Sequence, residues 1–281
     1  MRLDTSHKAD LEFPYMIGVG IIERLVQAVA ISHRVANYPR LSLLILASPE
    51  SGKTTITASA HAKHVLPIAI ITARSVIQVI EERPEIEYLV FNDLVAIRAL
   101  SQPASMLLIV TLNQATQGEC GMVGFAGKDT TQISRQIGII GCLPLATFAN
   151  HRARWREAGF ISRMIPFAYQ YPDSLIAEIK DGIDEAHGKI NKQTRKLPRV
   201  PKRPVTITCN RTMTRAVRDL SDIRARDLQQ TGIRLLSNYH TLIRSHALLC
   251  GRANVEREDL DFLRTVDRYV SITECKPLER S

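Results

Sequence analysis

The stretch Leu41–Thr54, which reads LSLLILASPESGKT, decides the fold. Its apolar first part, Leu41–Leu46, is typical of a strand buried on both faces of a sheet. A loop follows, and a helix is predicted from Thr54 to about Val65. The same alternation continues downstream, with buried strands predicted at Pro67–Thr72 and Ile86–Phe91 and a helix at Ala73–Glu82. The pattern predicts an α/β fold in which helices cover both faces of a parallel sheet.

The rest of the chain divides into a continued core, a linker and a helical end. Further strands are predicted at Gln136–Cys142 and Met164–Tyr171, and helices at 94–117 (interrupted near Pro103), 152–159 and 174–187. Three helices are predicted near the C-terminus, at Thr212–Gln230, Leu235–Cys250 and Glu256–Val270. We therefore expect an α/β core over residues 1–187, a basic linker over 188–204 and a helical domain over 205–281.

The loop between the first strand and its helix has the P-loop pattern, with Ala47 at the position of the usual first glycine. In such a loop backbone N–H groups surround a phosphate, and Gly52 permits close backbone approach. Lys53 is expected to bridge the β- and γ-phosphates, and the Thr54 hydroxyl to hold Mg²⁺. The predicted nucleotide-binding residues are Ser48, Pro49, Glu50, Ser51, Gly52, Lys53, Thr54 and Thr55.

An acid at the end of a neighbouring buried strand is the second requirement of a P-loop ATPase. The strand that ends at Phe91 is followed by Asn92 and Asp93, where two acids are usual. Asp93 is expected to help hold the metal or to serve as the base, and its structural alternative is a helix N-cap. Because the Asn92 amide cannot take a proton, we expect hydrolysis to be slower than in a two-acid site.

The ordered motifs resemble AAA+ ATPases, in particular the branch with a hairpin before sensor one, which includes MCM helicases and MoxR chaperones. The resemblance runs from about Val19 to Val270. Besides the P-loop and the acid strand, it is carried by LNQATQGE followed by CGMVGFAG, by QIGIIGCLP, by GFISRMIPF, and by TGIRLL with VEREDL. These stretches resemble the branch's helix and hairpin, the sensor-one strand, the arginine-finger segment and the helical lid.

The resemblance implies ATP and Mg²⁺ as cofactors and a homo-oligomeric ring, most often a hexamer. It gives Arg163 the role of an arginine finger on the neighbouring subunit's ATP, although a local salt bridge is the simpler alternative. The resemblance gives Arg234 the role of the sensor-two arginine, acting on the nucleotide of its own or a neighbouring subunit. A solvated helix residue is the equal alternative, and Arg244 is the rival candidate for the role. The sensor-one strand end, Gly141–Pro144, lacks the usual polar residue, which also favours slow hydrolysis.

Positive charge is concentrated in one segment. The 281 residues include 37 Lys and Arg against 28 Asp and Glu, a formal net charge of +9, and residues 188–203 contain seven Lys or Arg and no acid. This segment favours phosphate contacts with nucleic acid, but a solvated linker is equally open. In a ring, Phe125 and Lys128 of the hairpin would face the pore and contact bases or a peptide. The candidate nucleic-acid residues are Phe125, Lys128, Lys189, Lys192, Arg195, Lys196, Arg199, Lys202 and Arg203.

Other classes of function find no support in the sequence. The five cysteines form no CxxC pair, so neither a zinc site nor a disulfide framework is predicted, and His61 and His64 lack a visible third ligand. An apolar run of 18 residues and a signal-peptide core are both missing, so we expect a soluble, cytoplasmic protein without a membrane partner.

Three functions remain open after these exclusions. The leading hypothesis is an ATP-dependent motor or loader that acts on DNA. The alternatives are a MoxR-like chaperone that remodels a protein partner, and a nucleotide-gated assembly protein with slow turnover.

Overall fold

The structure is a computed structural model that describes residues 18–69, 72–118, 135–185, 197–199 and 201–279. Its strands are β1 (Leu43–Leu46), β2 (Val65–Ile68), β3 (Tyr88–Phe91), β4 (Gly138–Leu143), β5 (Ile165–Gln170) and β6 (Lys276–Pro277). They form one sheet in the order β2-β3-β4-β1-β5-β6, and every pairing is parallel. The prediction of an α/β fold with a parallel sheet is confirmed.

The inner strands match their predictions because they are buried on both faces. Every residue of β1, β3 and β4 is buried, and β5 is buried up to its last residue, Gln170. In the register between β3 and β4, Tyr88 lies opposite Gly138. A Cβ at position 138 would lie 2.1 Å from the Tyr88 ring, so only glycine fits there. The Tyr88 hydroxyl is 2.7 Å from Ser32 Oγ and accepts from the His33 N–H at 3.2 Å.

Strand β2 differs from its prediction in both position and environment. It runs over Val65–Ile68 rather than Pro67–Thr72, and it lies at the edge of the sheet, where Val65 is buried and the other three residues are partly or fully exposed. Proline has no N–H to donate to a strand ladder, so Pro67 fits an edge strand and not an interior one. Residues 70–71 lie outside the described part of the chain.

Helix α2 is much shorter than predicted, spanning Lys53–Ala58 instead of reaching Val65. Its sequence is rich in β-branched residues, which have low helix propensity. Two hydroxyls also bond back to helix carbonyls: Thr57 Oγ1 to Thr54 O at 3.0 Å and Ser59 Oγ to Ile56 O at 2.6 Å. Such local bonds compete with continuation of a helix.

The remaining helices of the described chain are one that precedes the sheet and seven that lie close to their predicted positions, with two differences. They are α1 (Gly20–Ile31), α3 (Ala73–Glu82), α4 (Gln102–Gln117), α5 (Leu145–Glu157), α6 (Asp173–Glu185), α7 (Arg211–Asp227), α8 (Ile233–Leu249) and α9 (Arg257–Arg268). A 3-10 turn at Leu94–Ala99 precedes α4, so Pro103 marks the start of that helix and not a break within it. Helix α5 begins at Leu145 rather than Arg152 because Phe148 and Trp155, one face of the helix, are buried.

The C-terminal helices α7, α8 and α9 pack against one another, and α8 and α9 also contact α1. Their buried apolar residues and those of the sheet form one continuous cluster. After α9 the chain returns to the sheet and adds β6 beside β5, a strand that the sequence analysis did not predict. The Ala168 N–H donates to Tyr269 O at 2.9 Å and the Leu278 N–H to Gln170 O at 2.9 Å, which ties this segment to the sheet. Among the described residues, no helix is both long and apolar enough to cross a membrane.

Candidate functional site

The predicted nucleotide-binding residues and the two residues after the acid strand lie where parallel strands end at one edge of the sheet. The loop from Ala47 to Gly52 follows β1, and Asn92 and Asp93 follow β3. Strand β4 lies between these two strands, so the acid strand is not the immediate neighbour of β1. The connection after β1 leads toward β2 on one side, and the connection after β4 leads to β5 on the other. Such a switch point opens a crevice at the carboxyl ends of the strands, where ligands bind in open α/β sheets.

The loop turns sharply through two residues with left-handed backbone angles. Glu50 has φ of 61° and Gly52 has φ of 75°, the latter just before the first helical residue. A side chain at Gly52 would be strained by that angle, which explains the glycine. The buried Ser51 fixes the loop from inside, since its Oγ donates to Ser48 O at 2.7 Å and its carbonyl accepts from the Tyr169 hydroxyl at 2.6 Å.

Lys53 folds its ammonium group over this loop. Its Nζ donates to Ala47 O at 3.0 Å, to Ser51 Oγ at 3.1 Å and to Ser48 O. Burial lowers the pKa of Lys53 from its ordinary value, and the nearby Cys142 and Asp93 oppose the shift. The ammonium group therefore lies at the loop with carbonyl and hydroxyl oxygens as its partners. These are contacts that a phosphate oxygen can replace.

The two residues after β3 make different contacts. The Asn92 Oδ1 accepts a hydrogen bond from the Thr57 hydroxyl at 2.8 Å, which joins β3 to α2. One Asp93 oxygen accepts from the Val95 N–H at 2.8 Å, so this exposed carboxylate caps the 3-10 turn. The N-cap alternative for Asp93 is thus present in the structure. Thr54, the other predicted Mg²⁺ ligand, is exposed at the start of α2.

A complete protein-made metal cage is not found at this edge. Among the described residues, no group of three or more His, Cys, Asp or Glu side chains is placed to hold a metal ion. Mg²⁺ bound with a nucleotide needs only one or two protein oxygens, because phosphates and water supply the others. The exposed Thr54 hydroxyl and Asp93 carboxylate are oxygen donors of the kind such an ion takes.

Two further side chains lie at this edge, Cys142 on β4 and Tyr171 just after β5, and neither was predicted to have a role at the site. Cys142 is fully buried, and burial raises the pKa of its thiol to about 12. The Tyr171 hydroxyl is buried and finds no hydrogen-bond partner among the described residues. It lies against the loop, 3.7 Å from where a Cβ of Gly52 would be. An unpartnered buried hydroxyl beside a phosphate loop is a fit for a ligand oxygen.

The sequence contained only a weak signal for the residues that were missed. Tyr169 and Tyr171 were inside the predicted fifth strand, and their spacing of two places them on one face of it. Their position beside the loop depends on β5 pairing with β1, which the residues themselves do not specify. Thr57 was inside the predicted helix, but its bond to Asn92 depends equally on the strand order.

Arg163 and Arg234 lie away from this edge. Arg163 ends a 3-10 turn just before β5, and its Nη1 donates to Gly159 O at 2.5 Å. Arg234 Nη1 donates to Ser162 Oγ at 2.9 Å, so the structure brings the two arginine segments together. They lie at the amino end of β5, whereas the loop follows the carboxyl end of β1. The four residues of β1 alone span about 13 Å between these edges.

Arg244, the rival of Arg234, is part of the interior. It is 6% exposed, and its guanidinium donates to Ile207 O at 3.3 Å and to His240 O at 2.8 Å. The same group lies over the Tyr38 ring, 4.4 Å from its centroid. These contacts hold α8 against two loops.

The proposed nucleic-acid residues are only partly within the described chain. Phe125, Lys128, Lys189, Lys192, Arg195 and Lys196 lie outside the described residues. Arg199, Lys202 and Arg203 are exposed. Just after them, the Val205 N–H donates to Arg34 O at 2.7 Å, which fixes the end of the basic segment against the residues that follow α1.

Comparison with protein-family models and with curated proteins gives no match for this sequence, so the geometry of the loop and its neighbours carries the functional argument.

Proposed function

We propose that the chain binds ATP and Mg²⁺ at the loop Ala47–Thr54. The main support for this proposal is the conformation of the loop. The loop follows an inner parallel strand and turns at Gly52, which has left-handed backbone angles, and the Lys53 ammonium group is folded over it. The orphaned Tyr171 hydroxyl beside Gly52 supports the same proposal, because it offers a donor to a phosphate oxygen.

Each residue has a defined part in this proposal. Backbone N–H groups from Glu50 to Thr54 bind the β-phosphate, and Lys53 exchanges its carbonyl partners for β- and γ-phosphate oxygens. The Thr54 hydroxyl and the Asp93 carboxylate hold the Mg²⁺, which neutralises phosphate charge when bound. Asp93 keeps one oxygen on the Val95 N–H while it does so.

Slow hydrolysis is part of the proposal. The Asn92 amide cannot accept a proton, and its oxygen already bonds the Thr57 hydroxyl. The Cys142 thiol on β4 is neutral, because burial raises its pKa to about 12, and a thiol is only a weak hydrogen-bond donor. These contacts favour, as a second candidate, a protein in which ATP acts mainly as a ligand that orders an assembly.

We also propose an AAA+ type ring in which Arg163 and Arg234 act on a neighbour's nucleotide. Both arginines lie at the sheet edge opposite their own loop, which supports action between subunits rather than within one. The leading substrate proposal is DNA, on which ATP hydrolysis would drive movement or loading. It is supported by the net charge of +9 and by the exposed Arg199, Lys202 and Arg203. Remodelling of a protein partner, as by MoxR chaperones, is the alternative.

The first experiment measures binding of a fluorescent ATP analogue to the full chain. Lys53→Ala is expected to abolish binding, because the loop of the variant loses its own cation, the ammonium group proposed to contact the β- and γ-phosphates. Lys63→Ala removes an exposed lysine in the turn before β2 and is the matched control, with affinity expected to stay unchanged. Tight binding by folded Lys53→Ala would overturn the assignment of the site.

The second experiment measures ATP turnover with and without single- and double-stranded DNA at two salt concentrations. Salt-sensitive stimulation by DNA supports the motor or loader. Tight ATP binding with negligible turnover under all conditions supports the nucleotide-gated assembly. Turnover that ignores DNA but responds to a protein substrate supports the chaperone.

A mixing experiment tests action between subunits. The Arg163→Ala variant keeps an intact nucleotide loop, and the Lys53→Ala variant keeps both arginines. A mixture can therefore form sites that combine the loop of one variant with Arg163 of the other, and it is expected to recover the ATP turnover that each variant lacks alone. Arg163→Ala should keep nearly normal nucleotide affinity, while Arg154→Ala, an exposed arginine on α5, serves as the control with normal turnover. Normal turnover of Arg163→Ala alone would show that the arginine-finger assignment is wrong.

A further inference from the structure

A second cluster of reactive side chains lies at the turn between α8 and α9, where the proposed nucleotide site makes no use of it. Cys250 caps the end of α8 and is exposed. His246 lies one helical turn earlier, and its Nε2 is 4.0 Å from Cys250 Sγ. The other ring nitrogen, Nδ1, is 2.6 Å from Asp259 Oδ1 on α9. The imidazole of His246 thus lies between the Cys250 thiol and the Asp259 carboxylate and contacts both.

The imidazole is held in this orientation by its surroundings. The His246 ring stacks on Phe262 with centroids 4.0 Å apart and an interplanar angle of 9°. Asp259 is fully buried, and Arg252 Nη2 donates to its Oδ1 at 2.7 Å while the Glu256 N–H donates to its Oδ2 at 2.8 Å. With these two donors in place, the Asp259 carboxylate is also placed to accept a hydrogen bond from His246 Nδ1.

This arrangement places the basic nitrogen of the imidazole on the thiol. With Nδ1 protonated toward Asp259, the lone pair of Nε2 faces Cys250 Sγ. The Asp259 and Cys250 contacts outweigh the effect of burial and raise the pKa of His246 above its ordinary value. The imidazole is therefore able to take the thiol proton at neutral pH, and a neighbouring imidazolium stabilises the thiolate. Arg252 adds a second positive charge to the cluster, and its outer contacts are Glu256 and Glu258.

We propose that Cys250 is a modification site: a thiol activated by His246 and Asp259 that forms mixed disulfides with low-molecular-weight disulfides. The Cys250 thiol proton passes to His246 Nε2, and the thiolate attacks one sulfur of the reagent. The reagent's S–S bond breaks as the new S–S bond to Cys250 forms. The other half leaves as a thiolate and takes up the proton, so Cys250 is oxidised and the released sulfur is reduced.

The other described cysteines lack a neighbouring imidazole or are buried, so their reaction rates serve as references within the same chain. Cys142 is fully buried, and burial raises the pKa of both Cys142 and Cys275. Cys209 Sγ contacts Asn210 O and Thr214 Oγ1, each at 3.7 Å, and neither group takes up a proton at neutral pH. Selective reaction at Cys250 therefore depends on its imidazole and on its exposure.

The test compares the native full chain with the same chain unfolded in urea, using a nitrobenzoate disulfide reagent and peptide mass spectrometry at pH 7. A cysteine is fully exposed in the unfolded chain, so exposure alone cannot make it react faster in the native chain. A ratio of native to unfolded reaction rate above one therefore indicates activation of the thiol by its neighbours. An unperturbed thiol is only about 3% thiolate at this pH. An imidazole-activated thiol gains thiolate but loses nucleophilicity, which limits the net gain in rate at pH 7 to about three- to fourfold. We therefore expect Cys250 to react about three- to fourfold faster in the native state. Cys209 should react more slowly in the native state.

Two further readouts separate activation from packing. Between pH 6 and 8 the unfolded rate should rise about tenfold per unit, as expected for an ordinary thiol, while the native Cys250 rate should change less. His246→Gln, if circular dichroism shows it folded, should bring the native rate to the unfolded rate or below. A native rate at Cys250 no higher than the unfolded rate overturns the proposal without any variant.

Discussion

Replacement of Tyr171 by phenylalanine is expected to change stability and ligand affinity in opposite directions. The hydroxyl is buried against the phosphate loop and has no partner among the described residues. Leaving a buried polar group unsatisfied costs roughly 1–3 kcal/mol, and Tyr171 is only partly buried, so the lower end applies. Tyr171→Phe should therefore raise the free energy of unfolding by about 0.5–1 kcal/mol without nucleotide.

The same substitution should weaken ATP binding, since the hydroxyl is proposed to donate to a phosphate oxygen. A hydrogen bond contributes about 0.5–1.5 kcal/mol net, which corresponds to a Kd about 2- to 12-fold higher. Urea unfolding without nucleotide gives the first quantity, and titration with a fluorescent ATP analogue gives the second.

Tyr169→Phe is the matched control, on β5 two residues before Tyr171. The Tyr169 hydroxyl donates to Ser51 O at 2.6 Å, so its removal should lower the free energy of unfolding by about 1–2 kcal/mol. If Tyr171→Phe lowers the free energy of unfolding as much as Tyr169→Phe does, the Tyr171 hydroxyl has a hydrogen-bond partner and the premise is wrong. An unchanged ATP affinity would refute its role in binding.

Three further predictions concern the rest of the chain. Asp267→Ala should lower the free energy of unfolding by about 3–5 kcal/mol, because it takes the buried carboxylate partner from the largely buried Arg224 guanidinium and leaves only the exposed Asp227. Asp227→Ala removes that exposed partner of Arg224 and should cost under about 1 kcal/mol; urea unfolding measures both. Burial lowers the pKa of His33 to about 3, so the unfolded state binds a proton at this imidazole at a higher pH than the folded state does. The His33 contribution to the free energy of unfolding should therefore be fully present above about pH 6.5 and fall by up to about 1.4 kcal/mol per pH unit as the pH drops toward 3. A free energy of unfolding that stays flat between pH 6.5 and 5 would contradict this. Gly138→Ala should yield little folded protein by circular dichroism, because the added Cβ would lie 2.1 Å from the Tyr88 ring, and wild-type stability would show that the contact is wrong.

The central sheet was predictable from sequence because burial on both faces leaves a continuous apolar run. This holds for β1, β3 and β4, whose residues are all buried. The pattern fails at the edges of the sheet. Strand β2 is partly or fully exposed at three of its four residues and contains Pro67, and β6 has only two residues, Lys276 and Pro277, which carry no periodicity. Edge strands are specified by the neighbours they pair with, and a local pattern does not contain that information.

The candidate site divides in the same way. The loop residues were predictable because one continuous segment, Ala47–Thr54, supplies the turn, the cation and the hydroxyl. Tyr171 was missed because it joins the loop only through the pairing of β5 with β1. The contact of Arg234 with Ser162 spans 72 positions and depends on how α8 packs. A local motif predicts which segment forms the loop of the site, whereas the packing of strands and helices distant in sequence decides which other side chains surround that loop.

The positions of the two arginines bear on how many chains make one proposed active site. Arg163 and Arg234 lie at the amino edge of the sheet, whereas Lys53 lies at the carboxyl edge, so no single copy brings them onto one nucleotide without unfolding β1 or β5. If all three act on ATP, the amino edge of one copy must meet the carboxyl edge of another. Such a head-to-tail contact joins different surfaces, and its repetition gives a ring where the rotation between copies closes and an open filament where it does not. Nucleotide binding and assembly would then be linked, since ATP bridges the two surfaces and stabilises the contact. If Asn92 in place of a second acid slows hydrolysis, as we propose, ATP would hold this contact closed for longer, and control of assembly would be the main consequence of ATP binding.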